Sequence, residues 1–133
     1  MNPRTLDEEQ VRDQVAAAEE LAWGGLGLPA AVLAGAAIEG MLRLRVGDDM
    51  PATASAGELL EELWHEGAVA ELEQERLRRI LAARDLLSHG FLPNDAASAA
   101  PERVQAALDI TVRLMEDLPR AAEAAEAGEE TLQ

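Results

Sequence analysis

The chain has 133 residues, 26 acidic against 11 basic, a net charge of −15, and no cysteine. That length suits one domain around a single core, residues 1–133, and the missing thiols exclude a disulfide framework, a thiolate metal site and a cysteine nucleophile. A field of this sign repels nucleic acid and excludes a coat protein working through a broad basic face.

Every cation is an arginine, and Arg76, Arg78, Arg79 and Arg84 fall within nine positions. Such a concentration can gather phosphate locally against the overall field. The N-terminal residues are acidic where an export signal would be basic and then apolar, so a cytoplasmic protein is expected.

Thr5 followed by Glu8 has the capping-box spacing and predicts a first helix from about Leu6 to Trp23. Val11, Val15, Ala18, Leu21 and Ala22 form its apolar stripe. Gly24, Gly25 and Gly27 end it, and Pro29, suited to a first turn, opens a second helix over Ala30 to Leu44. The uncharged run from Leu21 to Ile38 has the length of a membrane span, but four glycines and Pro29 dilute it. A central helix packed on all sides produces the same pattern, and no membrane partner is expected. Glu39 interrupts this apolar surface. It either pairs with Arg43 one turn on or faces the basic helix and orients Arg84.

Residues 47–54 read as a loop. Ser55 with Glu58 caps a short third helix through Leu59, Leu60, Leu63 and Trp64, and Gly67 breaks it. Helix four runs from Val69 or Glu71 to His89, with Leu77, Ile80, Leu81 and Leu87 on one stripe. Gly90 supplies the left-handed residue that closes a helix, and Pro93 prevents resumption. A loop over residues 92–100 precedes helix five, which Pro101 opens and Pro119 ends. Residues 121–133 form an acidic tail, a helical extension or a frayed end. No strand-like alternation occurs, so the fold class is all-α, an up-and-down bundle of about five helices.

Chemistry concentrates at the end of helix four. Arg84 and His89 point about 140° apart on an ideal helix, so they meet only through a relaxed last turn or a second subunit. Asp85 is one turn before His89 and can touch the ring, fixing its tautomer. His89 suits general acid–base work or the capping of the last carbonyls. Arg84 suits a phosphate. His65, between Trp64 and Glu66, reads as surface.

The run Arg84-Asp85-Leu86-Leu87-Ser88-His89-Gly90 resembles the Arg-x4–6-His signature of the HEPN superfamily (higher eukaryotes and prokaryotes nucleotide-binding). Ala36-Ala37-Ile38-Glu39 with Leu42-Arg43 is similar to that family's second helix, and the likeness in layout covers roughly residues 15–118. It implies an HEPN-like bundle that homodimerises through the motif helix, making a shared cleft. Active members are metal-independent endoribonucleases of toxin, phage-defence and RNA-processing systems, so no cofactor and no metal is implied. Carried over, His89 is the acid or base, Arg84 stabilises the charged phosphorane and Asp85 assists. Glu39 and Ser88 are accessory, and Arg76, Arg78 and Arg79 bind RNA. Some toxin members carry a tyrosine, target of an inactivating antitoxin, where this chain has Phe91. Other relatives are non-catalytic dimerisation or nucleotide-binding modules, and the acidic tail also fits an antitoxin or adaptor with a basic protein partner.

Overall fold

The computed structural model describes residues 4–94 and 96–118; the acidic tail expected over 121–133 and the helix stop at Pro119 lie outside the described residues. It is all-helical there, with five α-helices: α1 Glu8–Trp23, α2 Gly27–Val46, α3 Ala56–His65, α4 Glu71–Ser88 and α5 Pro101–Glu116. Short 3₁₀ turns at Gly47–Asp49 and Ala96–Ala99 tighten two connections.

The helix starts follow local hydrogen-bonding chemistry. α1 is capped by Asp7 rather than Thr5: the Asp7 carboxylate accepts from the Gln10 amide at 2.8 Å, and Gln10 Oε1 accepts from the Asp7 amide at 3.0 Å. Both pairs have the same spacing, and a carboxylate acceptor is favoured at the positive end of the helix. α2 begins at Gly27, three residues before the expected start, because Pro29 costs nothing anywhere in a first turn. The first backbone bond of that helix runs from the Ala30 amide to the Leu26 carbonyl. Ser55 and Glu58 form the expected box on α3. At α4, Ala70 has no side-chain acceptor, so only the returning bond from its amide to Glu73 Oε1 is made.

α2 is the inner helix. It packs against each of the other four, and its buried positions run all round: Ala30, Ala34, Ala37, Ile38, Met41 and Leu42 among them. It is also the one helix among the described residues long and apolar enough to cross a membrane, with half of its most apolar stretch buried inside the bundle. The other helices bury single stripes, such as Val11, Val15, Ala18 and Ala22 on α1 and Val104, Ala107, Leu108, Thr111 and Leu114 on α5. These join in one continuous apolar cluster. Trp64 stays outside it, exposed and stacked at a tilt against the His65 ring.

Cross-helix contacts fix the helix directions. Gly40 of α2 sits on Val11 and Leu6, so α1 and α2 run antiparallel. Glu73 near the start of α4 pairs with Arg113 near the end of α5 at 2.7 Å, which makes that pair antiparallel too. Arg45 reaches the Leu114 carbonyl at 2.9 Å, and Gly27 lies against Ala99, so α2 and α5 are parallel. α2 and α4 are therefore antiparallel, and the end of α4 lies beside the start of α2.

Candidate functional site

Arg84 enters the bundle because Gly35 is opposite it. A Cβ at position 35 would stand 2.7 Å from Arg84 Cβ and 2.8 Å from its Cδ, far inside van der Waals contact, so only glycine leaves room for the stem. The guanidinium then continues along α2. Nη2 meets Glu39 Oε1 at 2.8 Å and Asp85 Oδ1 at 3.2 Å, and Nη1 donates to the Gly35 carbonyl at 3.2 Å. The side chain is 17% exposed. A guanidinium carries five N–H groups; among the described residues three are engaged, and Nε–H with one Nη1–H remain for another acceptor.

Glu39 adopts both expected arrangements at once. One oxygen takes Arg84; the other takes Arg43, at 2.9 Å from Nη2 and 3.2 Å from Nε. Arg43 also donates to the Ala54 carbonyl at 3.0 Å. Burial pushes the Glu39 carboxyl up, but hydrogen bonds and charge from Arg43 and Arg84 outweigh it and hold the pKa below the ordinary carboxylate value. The carboxylate thus bridges two guanidiniums across α2 and α4.

His89 closes α4. Gly90 takes φ +84°, the Phe91 amide returns to the Leu86 carbonyl at 2.8 Å and the Gly90 amide to Leu87 at 3.1 Å, the Schellman arrangement. The His89 ring folds back over this last turn, with Nδ1 2.7 Å from the Asp85 carbonyl oxygen. A carbonyl cannot donate, so Nδ1 carries the proton. Nε2 has no partner among the described residues and the side chain is exposed.

This differs from the expected contact between the Asp85 carboxylate and the imidazole. The carboxylate turns to the adjacent Arg84, and the Asp85 backbone carbonyl, which takes the His89 amide only at a long 3.3 Å, accepts from the ring and fixes the tautomer in its place. Asp85 consequently touches both Arg84 and His89, which do not touch each other. Ser88 is exposed and its hydroxyl makes no hydrogen bond among the described residues.

Arg76, Arg78 and Arg79 do not share the face of Arg84. On an ideal helix they lie about 80°, 120° and 140° round from it, Arg78 on the opposite side from the other two. Arg76 and Arg79 line a cleft between α4 and α5, while Arg78 is exposed with no ion pair among the described residues. Arg103 of α5 joins that cleft. It stands 24 positions beyond Arg79, and only the antiparallel packing of α4 on α5 brings it there, so no spacing in the chain marks it. Among the described residues no three His, Asp or Glu side chains converge as a metal ion would need.

Neither a protein-family model, nor a curated protein, nor a solved structure matches this chain.

Proposed function

We propose that the protein is an HEPN-like, metal-independent endoribonuclease that cleaves single-stranded RNA, in the manner of a toxin or phage-defence component. The observation that carries this reading is the pairing of a braced arginine with a tautomer-fixed histidine through one residue, Asp85. Nε–H and Nη1–H of Arg84 supply two donors for a phosphate. Neutral His89 presents a basic Nε2, which takes the proton of a ribose 2′-hydroxyl as that oxygen attacks the adjacent phosphorus. The P–O5′ bond breaks, and a protonated imidazole returns a proton to the leaving oxygen. DNA lacks the hydroxyl and is spared. Arg84 braces the phosphorane charge, and Glu39 positions Arg84.

Cleavage of this kind uses one base and one acid, and a homodimer supplies two histidines to one cleft. The bundle end that holds the site carries exposed apolar side chains suited to a second copy: Leu28 and Val32 at the start of α2, and Phe91 and Leu92, 62% and 74% exposed, where the chain leaves α4. Such groupings mark association surfaces.

A second reading has its own support. Glu39 and Asp85 already neutralise Arg84, His89 already serves the helix end, and the chain carries −15. These features suit a non-catalytic HEPN-like interaction module. One assay separates the two: single-stranded RNA incubated in EDTA with wild type, Arg84→Ala and His89→Ala. The enzyme reading expects cleavage by wild type and a fall of about 10²-fold or more in His89→Ala. Cleavage undiminished in both variants removes this site, and no cleavage by a folded wild type leaves the interaction module.

A further inference from the structure

We infer that the cleft between α4 and α5 is a binding site for a small amphipathic anion, one acidic group on an apolar body, separate from the Arg84–His89 site and independent of the function proposed for it. The cleft has a volume of about 370 Å³, within the range of small-molecule sites, about 300–1,000 Å³. Its apolar wall is made by Leu72 and Ile80, two turns apart on α4, and by Ala106 of α5. Leu72 is 56% exposed, a large apolar side chain left uncovered beside a hollow.

The charged lining sets the ligand's other end. Arg76, Arg79 and Arg103 bring three positive charges, and Glu75 and Glu102 bring two negative ones. Arg76, the lining cation with no ion pair among the described residues, matches one anionic group. It does not match a polyanion, whose further phosphates would meet those carboxylates and the negative field of the chain. Arg79 is held by Glu75 at 2.7 Å. Arg76 has no ion pair among the described residues, although acidic residues outnumber basic ones by 26 to 11 in this sequence. It is the group that receives the anion, with the apolar body lying along Leu72, Ile80 and Ala106.

The test uses octanoate as probe against the full-length protein, followed through backbone amide shifts by NMR, with octylammonium and a short single-stranded RNA as comparisons. Saturable octanoate shifts centred on residues 72–80 and 102–106 are expected, with little from octylammonium. Arg76→Gln weakens binding on the order of tenfold, Ala106→Trp fills the cleft and removes it, and Arg78→Gln, outside the cleft, leaves it unchanged. The spectrum of each variant reports its folding independently. Octanoate shifts that are absent, unsaturable or centred elsewhere overturn the site, as does equal binding of octylammonium or an unchanged affinity in Arg76→Gln. Displacement of octanoate by the RNA overturns its separateness.

Discussion

On its α2 flank, α4 meets a glycine; on its α5 flank it meets Ala106 and two charged side chains, Glu102 and Arg103. The consequences for arginine are opposite. Arg84 runs inward over Gly35 and is enclosed, 17% exposed, by Glu39, Asp85 and a carbonyl. Arg79, five residues earlier on the same helix, stays 49% exposed and among the described residues pairs only with Glu75 on its own helix. The α2 flank closes because a missing Cβ lets two backbones approach around a guanidinium stem; on the α5 flank Glu73 and Arg113 join the helices at one end at 2.7 Å, while at the cleft Arg79 turns back to Glu75 on its own helix and leaves the hollow open. Enclosure lowers the local dielectric, so the Glu39–Arg84 contact counts for more than the exposed Arg79–Glu75 pair.

Gly35→Val breaks the closed flank most directly. Its side chain would collide with Arg84 Cβ, which cannot swing away as a side-chain tip could, and a loss of about 2–3 kcal/mol is expected from denaturant unfolding. A loss below about 1 kcal/mol would mean that the helices part there freely.

Glu39→Gln sharpens the comparison electrostatically. It leaves Arg84 and Arg43 half-buried without their shared anion, at a cost of about 1–2 kcal/mol near neutral pH. The sign of its pH dependence follows from the folded pKa lying below the ordinary value of 4.5. Glu39 contributes its full stabilisation above about 4.5, and the contribution disappears as pH falls through the folded value. The gap in thermal midpoint between wild type and Glu39→Gln should therefore be widest above pH 5 and shrink on acidification. A gap that grows towards low pH would contradict the bridge. Arg79→Ala marks the opposite limit, a change within about 0.5 kcal/mol that added salt reduces further.

The order of helices, the inner place of α2 and the glycine stop at Gly90 were legible because each rests on local chemistry: a stripe of period 3.6, a run of small residues, one left-handed position. Trp64 was not, since periodicity ranks it with Leu60 and Leu63 without telling the middle of a stripe from its rim. The Thr5–Glu8 spacing marks a cap, but Asp7 and Gln10 have the same spacing, and a carboxylate is the better acceptor at a helix start. The Glu39–Arg84 contact was available as one of two alternatives, and a carboxylate with two oxygens takes both. The Asp85 carboxylate went to its neighbour Arg84 because α2 already held that guanidinium in place. The α4–α5 cleft left no trace in the spacing of residues, for Arg103 reaches it only through tertiary packing.

Gly35 and Arg84 are separated by 49 positions, whereas three residues join α1 to α2 and twelve join α4 to α5. Two helical hairpins can therefore zip up from nearby segments first, and the meeting of α2 with α4 is the step that brings distant parts of the chain together. Contacts made after the folding barrier act on the rate of opening rather than the rate of closing. In that order of events the carboxylate bridge at Glu39 is a latch between two preformed halves, and Glu39→Gln is expected to speed unfolding more than it slows folding.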